Sequence, residues 1–147
     1  AVNLQGAFHV AAQLEILMAQ SPRSLGAVFI SSTAGLRGEP GGSVYVASKF
    51  GLRGLVESFA GEIAPFGGRA NTVCPGNVDS VMLTSLAANF AERQGTTVKS
   101  VMMQLAASSA FNRLITPSEV ANTCVWLCSA GAGGISGQTI VVDGAPV

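Results

Sequence analysis

The sequence predicts an α/β fold built on a parallel sheet, and three observations carry that reading. Three short apolar runs with β-type residues, "GAVFISS" (26–32), "RANTVCPG" (69–76) and "QTIVVDG" (138–144), punctuate the chain. Helix-periodic segments separate them, and strands joined by helices lie parallel with right-handed crossovers. The chain has 147 residues, 48% of them hydrophobic, enough for one domain with a real core.

The elements follow in order. Residues 3–19, "NLQGAFHVAAQLEILMA", carry Phe8, Ala11, Leu14, Ile16, Leu17 and Met18 at helical spacing. "SPRS" (21–24) breaks this helix and the strand 26–32 follows. "AGLRGEPGG" is a glycine- and proline-rich loop. From Val44 to about Ala64, apolar residues at Leu52, Leu55, Val56, Phe59 and Ile63 predict a long helix, which Pro65 and "FGG" end. Gly51, Gly54 and Gly61 weaken that helix and fit best where another backbone packs close. The strand at 69–75 ends at Pro75-Gly76. Segment 77–115, rich in Met, Ala and Ser, is expected to hold one or two short helices. "TPSEVANTCVWLCSAG" has clear helix punctuation: Thr116 as N-cap, Pro117 at the first position, Glu119 completing a capping box, and Gly131 suited to the C′ position.

Eight basic residues balance eight acidic ones, so charge makes no case for nucleic acid or an anionic membrane surface. No apolar run is long enough to span a bilayer. The first residues, "AVNLQGAFHV", lack a basic leader and read as a chain that starts mid-fold. Three cysteines, Cys74, Cys124 and Cys128, sit in apolar segments; reduced, buried thiols of a cytoplasmic protein are expected. The i,i+4 pair Cys124 and Cys128 has a spacing that could bind a metal or sense redox state, but the one histidine, His9, is distant and no acidic residue lies between the cysteines, so no metal is expected. His9 is expected on a helix surface or packed.

Chemistry centres on Tyr45, the only tyrosine. Lys49 lies one helical turn beyond it on the same face. An ammonium beside a phenol favours the phenolate, and such a phenol can exchange a proton with an alcohol or carbonyl oxygen. Ser32 ends a predicted strand and Tyr45 begins the next helix. In a parallel sheet, chemistry sits at the C-terminal strand ends, where these two hydroxyls can converge. Ser32 as a turn former and Tyr45 as a helix-start aromatic is the plainer alternative.

These segments together resemble the C-terminal half of a short-chain dehydrogenase/reductase. "FISSTAG" resembles the family's serine strand, and Ser32 to Tyr45 is its thirteen-residue step. "YVASK" matches Tyr-x-x-x-Lys. "RANTVCPGNVDSVML" is similar to the Asn-x-x-x-Pro-Gly-x-Val-x-Thr segment, "GQTIVVDGA" to the last strand, and "VNLQGAF" to the start of the helix bearing the catalytic Asn. The resemblance implies the C-terminal half of a doubly wound Rossmann-type sheet, with residues 1–147 as its catalytic half and the dinucleotide-binding half absent.

It also implies roles. Tyr45 would be general acid in reduction and base in oxidation. Ser32 would hold the substrate oxygen as an oxyanion-type donor. Lys49 would act on Tyr45 and hold the ribose hydroxyls of NAD or NADP, between which nothing here distinguishes. Asn3 would anchor a water linking Lys49 to solvent. The loop Pro75–Ser80, with Gly76, Val78 and Ser80, would cover the nicotinamide, with Val78 near its carboxamide. A small alcohol or carbonyl substrate, and a homodimer or homotetramer of the complete protein through the helices at 3–19 and 44–64, are implied as well.

Departures from the family pattern are Ser80 for Thr, Gly144-Ala145 for Gly-Gly, and the missing N-terminal glycine-rich turn. Gly131, Gly134 and Gly137 do not replace that turn, because they follow a helix and precede a strand. A second hypothesis is therefore a non-enzymatic chain that keeps only core and assembly helices. Met82, Leu83, Leu86, Met102 and Met103 serve equally as an apolar substrate lining or as core packing.

Overall fold

The computed structural model describes residues 2–144. Strands β1 (Leu25–Ile30), β2 (Gly68–Pro75) and β3 (Thr139–Val142) form one parallel sheet in the order β1-β2-β3. Leu25 faces Gly68 and Ile30 faces Val73; Thr72 faces Thr139 and Pro75 faces Val142. The predicted strands are all present, each a residue or two different at its ends. β2 is central, and all of it except Arg69 is buried. Proline at its last residue removes a donor only where the ladder stops.

Alternation along the strands builds two cores. Leu25, Ala27, Phe29 and Ala70 face α1 (Ala7–Gln20) and α2 (Ser43–Ile63), meeting Met18, Val56, Phe59 and Ile63. Phe59 meets Phe29 edge to face, with ring centroids 6.0 Å apart. Val28, Val73 and Ile140 face the other way, against Leu127 of α5 (Pro117–Cys128) and Ala132. Between β2 and α5, α3 (Val81–Gln94) and α4 (Val98–Ala107) form a helical hairpin with its own small cluster of Ala87, Ala91 and Val101. Gly95, at φ 63°, caps α3, and the Thr97 hydroxyl caps α4.

Buried polar groups at the other end of the sheet are matched by partners. The Arg69 guanidinium donates to the carbonyls of Leu127, Ser129, Ala132 and Ile135, at 2.9 to 3.2 Å. The Leu127 carbonyl is left over at the end of α5, and the other three belong to the segment that follows it. The Asn71 amide donates to Ile135 and accepts from Gln138 N–H, which aligns β3 beside β2.

Several local expectations need correction. Residues 2–6 form a π-helical turn before α1 rather than part of one continuous α-helix. α5 begins with the predicted capping box, Thr116 with Glu119. It does not end on Gly131, however: Ser129, in extended conformation, is the cap, and Gly131 lies in a following 3-10 turn. Ser129 can stop the helix because its hydroxyl accepts the Gly131 N–H. A Cβ on Gly51 would meet the Leu4 side chain at 3.0 Å, whereas Gly54 and Gly61 face open space in this chain. Cys74 is buried, but Cys128 is exposed, with its thiol donating to the Gly26 carbonyl. Among the described residues no helix is long and apolar enough to cross a membrane.

Candidate active site

The C-terminal ends of β1 and β2 face the start of α2. Ile30 is the last residue of β1, and the chain turns there because Ser32 caps a 3-10 turn, Thr33–Gly35, by accepting the Ala34 N–H. The Ser32 oxygen is thus fixed in place, and its O–H hydrogen is left to donate elsewhere.

α2 carries Tyr45, Ser48 and Lys49 on its first turns. The Lys49 Nζ reaches back to the Ile30 carbonyl at 3.0 Å and lies 5.7 Å from the centre of the Tyr45 ring. Burial holds the Lys49 amine below the ordinary lysine value, with charge interaction with Cys74 acting the other way. Cys74 itself, at the end of β2, is pushed up by burial, opposed by hydrogen bonding to Ser31 and to the Ser32 backbone.

Asn3 joins the group from the π-helical turn. Its amide donates to Ser48 Oγ at 3.3 Å, and Ser48 Oγ donates to the Tyr45 carbonyl at 2.6 Å. A shallow depression lined by Asn3, Gly42, Val44, Tyr45 and Ser48 opens beside them. The structure therefore brings Asn3, Tyr45 and Lys49 together at the strand ends. Ser32 stands two residues beyond the carbonyl that Lys49 holds. Among the described residues no hydrogen bond links the Ser32 and Tyr45 hydroxyls.

The loop after β2 is held by Ile115. Its N–H donates to Asn77 O, and its carbonyl accepts from Asp79 N–H. In such a parallel bridge the central residue's own N–H and C=O point away from the partner. Val78 thus presents a donor and acceptor pair without partners among the described residues, beside Pro75 and Gly76, a set that fits a primary amide. Ser80 caps α3 by accepting the Leu83 N–H, which the serine-for-threonine departure leaves intact. The surface beyond it is lined by Asp79, Ser80, Val81, Thr84, Ser85 and Ala88. Of the apolar residues in this segment, Met102 packs into the hairpin, while Met82 and Met103 are largely exposed.

Three residues escaped the sequence reading. Ser48 links Asn3 to Tyr45; its only signal is its place inside the Tyr-x-x-x-Lys run. Ser31 and Arg53 bind the backbone around Lys49, and nothing in the sequence alone marks them.

Comparison with known proteins identifies the family. The family model described as enoyl-(acyl carrier protein) reductase matches residues 1–144. The chain belongs to the short-chain dehydrogenase/reductase family, and its sheet is of the Rossmann type. It is 36% identical over 114 residues to a diacetyl reductase [(S)-acetoin forming] of Staphylococcus aureus, covering 78% of this chain and 44% of that protein. The protein MoaE of Klebsiella aerogenes is 35% identical over 143 residues, 97% of this chain and 54% of that one. Sorbitol-6-phosphate 2-dehydrogenase from Erwinia amylovora superposes with a TM-score of 0.93 at 31% identity, over 99% of this chain and 57% of that chain. An actinorhodin polyketide ketoreductase solved with NADPH gives 0.89 at 30% identity, over 97% and 55%. The chain spans about half the length of the relatives it matches.

Proposed function

We propose that this chain carries the catalytic residues of an NAD(P)-dependent oxidoreductase that interconverts a small alcohol and a carbonyl compound. The observation that carries the reading is the gathering of Asn3, Tyr45 and Lys49 at the end of β1, with the Lys49 amine on the Ile30 carbonyl. The nicotinamide cofactor, when bound, supplies or accepts the hydride. Tyr45 gives a proton to the substrate oxygen in reduction and takes it back in oxidation. Its side chain is 46% exposed at the depression, so a substrate can reach it. Ser32 donates its free O–H to the same oxygen and stabilises the charge that develops there.

Lys49 keeps two N–H donors beyond the one given to Ile30, a set suited to vicinal hydroxyls. Val78 offers its paired donor and acceptor to a carboxamide. Asn3, already hydrogen-bonded to Ser48, orders a water on the path from Lys49 to solvent. Pro75, Gly76 and Ser80 shape the loop that closes over this site. Residues 1–147 act as the catalytic half of a single dinucleotide-binding domain. In the complete protein, subunits pair through α1 and α2, which expose Phe8, Val10, Ile16, Leu17 and Phe50.

The test is nucleotide binding by the full-length protein, followed by a carbonyl and alcohol screen. Nucleotide-dependent turnover that Tyr45→Phe abolishes supports the reading. Absence of nucleotide binding, or turnover indifferent to Tyr45, refutes it.

A further inference from the structure

Lys49 is gripped at both ends by two consecutive residues of one strand end. Its amine donates to the Ile30 carbonyl at 3.0 Å. Its backbone carbonyl accepts the Ser31 hydroxyl at 3.0 Å. In an α-helix that carbonyl already accepts the N–H four residues on, so the Ser31 bond is an addition to the helix ladder. Ser31 is only 5% exposed and Cys74 beneath it is fully buried. A buried hydroxyl costs free energy unless it is hydrogen-bonded, so alanine would fill this place at less risk if packing were all it did.

Gly35 closes the arrangement. A Cβ there would stand 2.7 Å from Ser31 Oγ and 3.0 Å from the Lys49 carbonyl oxygen. The glycine lets the 3-10 turn press onto the Ser31–Lys49 pair. Arg53, one turn beyond Lys49, holds that turn down: its Nη1 donates to the Gly35 carbonyl at 2.8 Å and its Nε to Thr139 Oγ1 at 3.1 Å. Helix α2, the turn bearing Ser32, and β3 are thereby fixed to one another through side-chain hydrogen bonds.

We propose that Ser31, Gly35 and Arg53 are positioning residues that set the register of α2 against the end of β1, and so hold Lys49 and Tyr45 at a fixed place relative to Ser32. The proposal rests on the oxidoreductase reading for its consequence in turnover, but the geometry of the lock stands without it. Packing that served stability alone would leave the Lys49 amine indifferent to Ser31. A lock makes the amine's environment depend on it. The groups facing that amine are the Ile30 carbonyl, the Tyr45 ring and the Cys74 thiol.

The test uses the full chain with its amines methylated by a carbon-13 label. The Lys49 signal is identified by its loss in Lys49→Arg. In Ser31→Ala and in Arg53→Met, the signal is expected to move and to titrate closer to an ordinary lysine, as the grip loosens and water reaches the amine. A Lys49 signal unmoved in both position and titration overturns the proposal. Should Ser31→Ala fail to fold, Arg53→Met decides alone, since it acts on the same lock from the opposite side. In parallel, kcat in either variant is expected to fall about 10-fold or more, since small misplacements of reacting groups cost up to about 100-fold. Unchanged kcat also overturns it. Absence of turnover in the unmodified protein strikes the oxidoreductase reading instead, and the lysine titration still tests the lock.

Discussion

Replacing Tyr45 by Phe separates chemistry from architecture at this site. The Tyr45 hydroxyl has no hydrogen-bond partner among the described residues, and the side chain is 46% exposed. Its removal therefore strands no buried donor or acceptor. The phenylalanine ring keeps the contact with the Lys49 amine, now 5.7 Å from the ring centre, and the Ser48 bond to the residue-45 carbonyl is made by backbone. Stability and cofactor affinity are expected to stay close to the parent values, with the melting temperature unchanged within about 2 °C, because surface substitutions away from such partners stay within about 0.5 kcal/mol. Turnover behaves differently. Loss of a positioned general acid costs typically about 10²–10⁴-fold, which corresponds to roughly 3–5 kcal/mol of transition-state stabilisation. The assay is steady-state nucleotide oxidation by full-length protein at saturating substrate, beside a thermal melt and a nucleotide titration of the same preparation. Turnover within ten-fold of the parent would refute the role of Tyr45. A collapse of the melt would refute the claim that the hydroxyl is structurally idle.

Other outcomes follow from the same geometry. Lys49→Met is expected to weaken nucleotide binding at least several-fold by titration, yet to melt no lower than the parent at neutral pH. Burial depresses the lysine, so its charge opposes folding fully below its depressed folded-state value, and that cost fades as pH rises from there to the ordinary value of 10.5, above which it is gone; a melting-temperature gap that widens with rising pH contradicts this. Phe59→Ala, in a site 1% exposed against Phe29, is expected to cost about 3–5 kcal/mol in urea unfolding. Glu119 is lowered to about 2, first by the Arg113 side chain and then by the Thr116 backbone N–H. Its contribution is complete above its ordinary value of 4.5 and is lost as pH falls toward 2. Glu119→Gln should therefore melt lower than the parent at neutral pH, with the two converging in acid.

How much of this was legible in the sequence depended on how local the determinant is. The three strands and the helices α1, α2 and α5 follow from periodicity and punctuation, whereas α3 and α4 are expected only as one or two short helices without bounds; the Thr116–Glu119 box is legible because cap and partner lie three residues apart. The end of the same helix was misplaced for the opposite reason. Gly131 carries the better C′ residue type, but Arg69, in a strand far off in sequence, gathers the Leu127, Ser129, Ala132 and Ile135 carbonyls, and the Ser129 hydroxyl turns the chain. Tertiary hydrogen bonds outweighed a propensity of under about 1 kcal/mol. The site divides in the same way. Tyr45 and Lys49 are one turn apart on a single helix, so their meeting could be read directly. Ser31 meets the Lys49 carbonyl across 18 residues, and Arg53 meets Thr139 across 86. Such pairings have no periodic signature. They arise only once β1 and β2 are in register and α2 lies across them. The residues proposed to do chemistry are therefore visible before the fold. The residues that hold them in place became visible only with it.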